Sequence, residues 1–296
     1  MKGLFYKILI LASEALGLWV FVLFAWIVST GYFFLFPRRV GVSVRFYKAL
    51  FPDKGWHYHY WYTWKQYHNF TDLFLDRMLL ARSGSISFKS TGLEHLKEAA
   101  KNGTGGVILM SHMGSWEVAA LLLKKEIPDI KLLLYMGIKN KEQIEAMQKE
   151  GAIQAGIRII ALDKVEGSPF DIVEGIKSLQ GGDFVSMTGD VIWNKDQRSV
   201  PVRFLGHEAH LPETPHLFAL LSGTPLFIFF SYRISRRTYH FSITKPIYVK
   251  AASRTGRREA VRKSAQEYAE ILEQSVRNHP LQWYHFEPFL GRKLGV

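Results

Sequence analysis

The chain has 296 residues, 48% of them hydrophobic and 14% aromatic, and Lys plus Arg outnumber Asp plus Glu 38 to 26 for a net charge of +12. This composition excludes a disordered chain and suffices for a buried core in one large domain, with or without an appendage. The absence of cysteine excludes disulfides, thiolate metal ligands and a cysteine nucleophile and fits a reducing compartment, while the basic surplus suits nucleic acid, an anionic membrane, an acidic carrier protein or simply a solvated surface.

The first predicted element is apolar. From Ala15 to Pro37 the chain reads "ALGLWVFVLFAWIVSTGYFFLFP", about 23 residues without a charge and enough to span a bilayer core. Trp19, Trp26, Tyr32 and Phe33 suit its ends. The run is too long and too aromatic for a cleaved signal peptide, and no small-x-small cleavage site follows it. A membrane helix is favoured over a helix buried in a core, and a helix lying in the interface stays open beside it. Lys2 and Lys7, offset by Glu14, precede the run, and Arg38, Arg39, Arg45 and Lys48 follow it. That asymmetry places the main domain on the cytoplasmic side.

Residues 46–70, "FYKALFPDKGWHYHYWYTWKQYHNF", are dense in amphipathic aromatics. They suit a membrane interface, a lipid groove or an aromatic core equally. Single-stranded nucleic acid would use a similar mixture, but the preceding apolar run argues against nucleic acid. Residues 1–40 are therefore read as a membrane anchor, 41–86 as an aromatic-rich interfacial helical segment and 87–296 as an α/β core.

From residue 87 strands and helices alternate. "SISFKSTG", "GVILMSH", "IKLLLYM", "IRIIAL" and "DFVSMTGD" read as strands. "LEHLKEAAKNG", "SWEVAALLLKKE", "KEQIEAMQKEGAIQAG" and "SPFDIVEGIKSLQGG" read as the helices between them. Later come strands "VPVRFLG" and "TPLFIFFSYR" around helix "ETPHLFALLSG", then "TYHFSITKPIYV" and a terminal amphipathic helix. The pattern predicts an α/β fold, with a largely parallel central sheet flanked by helices and an N-terminal membrane helix.

"SHMGSWE" places His112 five residues before Glu117. On a continuous helix they would stand about 140° apart, and on one strand about 16 Å apart on opposite faces. They meet only if a strand ends near His112, turns at Gly114 and enters a helix near Ser115. A carboxylate on one ring nitrogen would fix the imidazole tautomer while the other nitrogen takes a proton from a hydroxyl. With 11 histidines and 26 acidic residues, such a spacing arises about once by chance, so the pair gains weight from its context.

"SHMGSWEVAALLL" resembles the His-x4-Asp/Glu block of the bacterial lipid A biosynthesis acyltransferase family, within the lysophospholipid acyltransferase superfamily. "GGDFVSMTGD" is similar to that family's strand ending in an aspartate, here Asp190. Phe204, Gly206, Gly223 and Pro225 fall in a further matching region, and "NHPLQWYHFEPF" resembles its C-terminal Pro-x-Gln-Trp signature. Two blocks depart: Lys149 and Arg158 stand where the family often has arginines, and "DVIW" replaces Asp-Gln.

The resemblance implies a membrane-bound O-acyltransferase at the inner membrane, with His112 as general base and Glu117 as its orienting partner. The donor would be acyl carrier protein or acyl-CoA, the acceptor a lipid A precursor or related hydroxylated lipid, and no metal or other cofactor would be required. Asp190 would shape the acceptor site, or cap a turn. Arg198 and Arg203 would bind a phosphate of lipid or carrier, or lie solvated. Gln282, Trp283 and Tyr284 would dock the C-terminal tail. His207, His210 and His216 lack the spacing of a helical metal motif, and no nucleophile elbow surrounds Ser111 or Ser115. Two rivals stand beside this reading: a non-enzymatic membrane protein that binds anionic lipid or nucleic acid, and a lipid hydrolase.

Overall fold

The computed structural model describes residues 13, 17–83, 86–137, 153, 156–162, 169–193, 196–235 and 237–295. Three helices lead. α1 (Trp19–Leu35) stops where Phe36 precedes Pro37, because the proline ring disfavours a helical residue before it. α2 (Pro37–Leu50) leaves at 92° to α1, and α3 (Trp56–Ser83) follows. Among the described residues no single helix is long and apolar enough to cross a membrane, although the bent pair passes that test together. The expected span from Ala15 to Pro37 is thus not shown: its described helix has 17 residues, about 26 Å of rise.

The aromatic segment divides by face. Tyr47 is wholly buried and Tyr67 nearly so, whereas Trp56, Tyr60 and Trp61 are exposed. α1 lies along α3, with Trp26 edge-on to Trp64 at 5.7 Å and Thr30 bonded to His68 at 3.1 Å. α2 instead docks on the core: the Tyr47 hydroxyl donates to the Pro280 carbonyl at 2.9 Å, and Phe46 packs on Trp283.

The core then alternates as β1 (Ser87–Thr91), α4 (Leu93–Lys101), β2 (Gly106–Met110), α5 (Trp116–Glu126), β3 (Leu132–Gly137), β4 (Arg158–Leu162), α6 (Pro169–Gln180) and β5 (Phe184–Thr188). The helix expected over "KEQIEAMQKEGAIQAG" lies largely outside the described residues, as does Lys149. Next come β6 (Ser199–Phe204), β7 (His207–Pro212), α7 (Thr214–Ser222), β8 (Leu226–Ser235), β9 (Thr238–Ile243) and α8 (Arg257–Asn278).

Seven strands form one sheet in the order β1-β9-β8-β2-β5-β3-β4. Every neighbouring pair is parallel except the β8–β9 hairpin. The near-continuous apolar runs of β2, β3 and β5 follow from burial on both faces. β6 and β7 form a separate antiparallel hairpin. Its second strand, "HEAHLP", was not anticipated: alternating polar residues and a terminal proline obscure a strand with one buried face.

β2 and β5 occupy the middle of the sheet, side by side and parallel, with Met110 opposite Thr188. Loops leaving their C-terminal ends therefore emerge together, where open α/β sheets collect functional groups.

His216 is buried between α7 and α8 with Nδ1 2.9 Å from the Ser264 hydroxyl, and its Nε2 has no hydrogen-bond partner among the described residues. Burial lowers its pKa to about 4. The unfolded chain therefore binds more protons than the native state between about pH 6.5 and pH 4, so stability falls as pH drops through that window, by about 3 kcal/mol in total. Urea unfolding at pH 7 and pH 4.5 checks this: His216→Gln is expected to show a smaller pH difference than wild type.

Candidate active site

The stretch around His112 folds as the turn the spacing requires. β2 ends at Met110, and His112 lies in the loop that follows. Gly114 takes φ +66°, and a Cβ there would overlap the Ser231 carbonyl of β8. Only glycine fits that close approach. Ser115 then caps α5, its hydroxyl accepting from the Val118 N–H at 3.3 Å. Ser111 makes a similar local bond, accepting from the Met113 N–H at 3.1 Å. Neither serine is presented as a nucleophile by these bonds.

The imidazole of His112 is about one third exposed, and its Nδ1 lies 3.0 Å from Oδ1 of Asp190. The register explains the meeting. Met110 and Thr188 are paired neighbours, and His112 and Asp190 each stand two residues beyond them. The backbone N–H of His112 also donates to Asp190 Oδ2 at 2.8 Å. A third donor comes from the far end of the chain: the Trp283 indole N–H reaches the same Oδ2 at 2.7 Å.

Asp190 has no exposed side-chain surface. Burial pushes its carboxyl up, but the charge and hydrogen bonds of His112, together with nearby His285, outweigh that and hold it below the usual carboxylate range. An ionised Asp190 only accepts, so Nδ1 of His112 carries a proton, and in the neutral form of the ring Nε2 is the nitrogen left to accept one.

The C-terminal segment clamps this loop from the other side. Met113 pairs with Trp283 as an antiparallel bridge. The Tyr284 N–H donates to the His112 carbonyl at 2.9 Å, and the Gly114 N–H to the Gln282 carbonyl at 2.8 Å. Gln282 extends the clamp to β8, its side chain accepting from the Arg233 N–H at 2.7 Å and donating to the Arg233 carbonyl at 2.6 Å. Arg233 in turn pairs with Asp72 and Asp76 of α3, and the Gln66 amide of α3 donates to the Trp283 carbonyl at 2.6 Å. The leading helices are thereby tied to the His112 loop.

His285 stacks on the Trp283 indole with centroids 5.0 Å apart and stands edge-on to His112 at 6.0 Å. Its Nδ1 donates to the Glu287 carbonyl at 3.2 Å. Burial lowers its pKa, with the Asp190 charge opposing and His112 adding to the shift. Trp193 lies near the His112 ring at 6.4 Å.

The other expected site residues are distributed differently. Glu117 is buried in the first turn of α5, and the carboxylate on His112 Nδ1 is that of Asp190 instead. Arg198 is exposed, its carbonyl accepting from the Glu213 N–H. Arg203 points to the outer face of the β6–β7 hairpin, where it lines a groove with Glu208, Arg262, Lys263 and Glu270. Its neighbour Phe204 faces inward onto Trp283 at 5.6 Å. Arg158 pairs with Glu174 at 2.6 Å. The three histidines of "HEAHLPETPH" turn to separate partners: His207 to the Leu205 carbonyl, His210 to Glu208 and His216 to Ser264.

Sequence reasoning missed the bond between Trp283 and Asp190. Trp283→Phe removes one of three donors from a buried carboxylate, a loss of about 2–3 kcal/mol for a charged hydrogen bond. Urea unfolding is expected to show that destabilisation.

The family model for bacterial lipid A biosynthesis acyltransferases matches residues 73–290, a span that takes in β2, β5 and the Trp283 segment. The chain belongs to that family, and is an acyltransferase by that membership. A search of curated proteins found no match.

Proposed function

We propose that this acyltransferase moves a fatty acyl chain from an acyl thioester to a hydroxyl of a lipid A precursor or a related lipid, with His112 as general base. The observation that carries the reading is the bond from His112 Nδ1 to the ionised, buried Asp190. It leaves Nε2 as the proton acceptor on a ring that is partly open to substrate.

In this mechanism Nε2 takes the proton of the acceptor hydroxyl as the oxygen attacks the thioester carbon. Asp190 stabilises the resulting imidazolium without becoming protonated. The tetrahedral intermediate collapses with cleavage of the C–S bond, and the proton on Nε2 passes to the departing thiolate. Water in place of the acceptor would give hydrolysis, so the acceptor must fill the space beside His112.

Asp190 thus takes the orienting role expected of Glu117. Glu117 is a buried carboxyl side chain in the first turn of α5, where a helix N-terminus favours an acidic residue. The donor is an acyl carrier protein or acyl-CoA. A chain with a net charge of +12 suits an acidic carrier.

The protein acts at the cytoplasmic face of the inner membrane, attached through α1 and its neighbours. Phe34, Leu35 and Phe36 are exposed at the bend, immediately before exposed Arg38 and Arg39. An apolar tip followed by cations fits insertion beside anionic headgroups. Flotation of the full chain with vesicles of phosphatidylethanolamine and phosphatidylglycerol tests the attachment. Phe34→Glu with Leu35→Glu is expected to leave the protein in the soluble fraction, and unchanged flotation would count against this tip.

A further inference from the structure

A groove well away from His112 has the composition of a ligand site. One wall is α1, from Leu18 to Trp26, and the other is Leu75 of α3. Its volume is about 580 Å³, within the range of small-molecule sites. The floor is firm: Phe21 and Leu75 are buried against each other, backed by Ala25 and Phe74. The rim is open, with Trp19, Leu23 and Trp26 about half exposed or more. Trp26 is nevertheless held in place by Trp64 and His68.

One cation stands in this apolar wall. Arg237 enters from the turn between β8 and β9, and no acidic residue is among the described residues that line the groove. Its backbone has φ +65°, a left-handed conformation uncommon outside glycine. Ser87 fixes that turn, its N–H donating to the Arg237 carbonyl at 2.9 Å and its hydroxyl to the same oxygen at 3.3 Å. Among the described residues no carboxylate pairs with the guanidinium. A guanidinium carried on a fixed turn at the end of an apolar trough, with no described carboxylate beside it, matches an anionic head on a hydrocarbon tail.

The groove is separate from the transfer site. β8 passes the His112 loop at Ser231, whose carbonyl abuts Gly114, and runs on to Ser235, about 13 Å further. Arg237 lies beyond that, on the edge facing α1.

We propose that this groove binds an anionic phospholipid, with one acyl chain along α1 and the phosphate on Arg237. The site rests on the membrane attachment proposed above and not on the acyl-transfer chemistry. Bound there, the lipid is a structural ligand that seats α1 and is not consumed.

The test uses the full-length protein in phosphatidylcholine vesicles and quenching of its tryptophan fluorescence. A few mole per cent of phosphatidylglycerol with brominated chains is compared with the same amount of brominated phosphatidylcholine. Trp19 and Trp26 line the groove, so local enrichment is read directly. Wild type is expected to prefer the anionic lipid about two- to fivefold, the yield of one exposed guanidinium–phosphate contact. Arg237→Gln is expected to lower the preference at least twofold, while Lys101→Gln, which removes an equal exposed charge at the end of α4, is expected to keep it. A preference retained in Arg237→Gln, or lost equally in Lys101→Gln, would assign it to diffuse basic charge and overturn the site. Acyl transfer by Arg237→Gln is measured in parallel and is expected to match wild type. Failure of transfer in both proteins would sink the reaction while leaving the lipid site standing.

Discussion

Replacing His112 with Ala is expected to lower acyl transfer roughly 10²–10⁴-fold, the usual contribution of a positioned general base. The fold should tolerate the change. The ring is one third exposed, and among the described residues its side chain hydrogen-bonds to Asp190 alone. The loop is held independently by its backbone bonds to Asp190, Gln282 and Tyr284. Circular dichroism and the urea midpoint separate a chemical defect from a folding one. If the soluble, folded variant turned over at the wild-type rate, His112 would not be the base.

The second expected result concerns Asp190. Asp190→Asn keeps the volume but not the chemistry, because three N–H donors converge on this carboxylate. An amide offers one oxygen and turns its NH₂ toward the remaining donors. The imidazole then escapes the clash by moving its proton to Nε2, leaving Nδ1 to accept. That tautomer has no lone pair to offer the acceptor hydroxyl. The expected loss is roughly 10⁴-fold, as for the corresponding change in a Ser-His-Asp site. Glu117→Gln serves as the comparison. It leaves the bond between His112 and Asp190 intact, so its loss should be smaller than that of Asp190→Asn. The reverse order would return the orienting role to Glu117.

The pH dependence follows from the same geometry. Asp190 is held below the usual carboxylate range despite its burial, so it stays ionised well below neutrality. The stability it supplies is present above the unfolded carboxylate pKa and is lost only as pH falls through its depressed folded value. An acid limb in the rate near neutrality is therefore not the titration of Asp190.

Much of the sheet was legible because its strands announce themselves. "GVILM" and "DFVSMT" are apolar runs closed by turn residues, as strands buried on both faces must be. The turn at Gly114 was legible too, since no single regular element brings His112 near a carboxylate five residues on. What the chain could not reveal by local pattern was strand order. That β5 lies beside β2 is a tertiary fact, and it alone puts Asp190 opposite His112. The Asp190 block had drawn notice as a strand end, but its partner lies 78 residues away. Trp283 is further still, 93 residues from Asp190, and its indole N–H has no sequence signature. The break between α1 and α2 was marked by Pro37, yet an uninterrupted hydropathy run concealed that the second arm docks on the core through Tyr47.

The most direct measurement supplies the purified, detergent-solubilised full chain with acyl carrier protein carrying a labelled fatty acyl group and with a panel of hydroxylated lipids that includes a lipid A precursor. The account predicts label in one acceptor lipid as an ester, stoichiometric release of free carrier thiol, and loss of both in His112→Ala. Label recovered as free fatty acid, or equal transfer by wild type and His112→Ala, would contradict it.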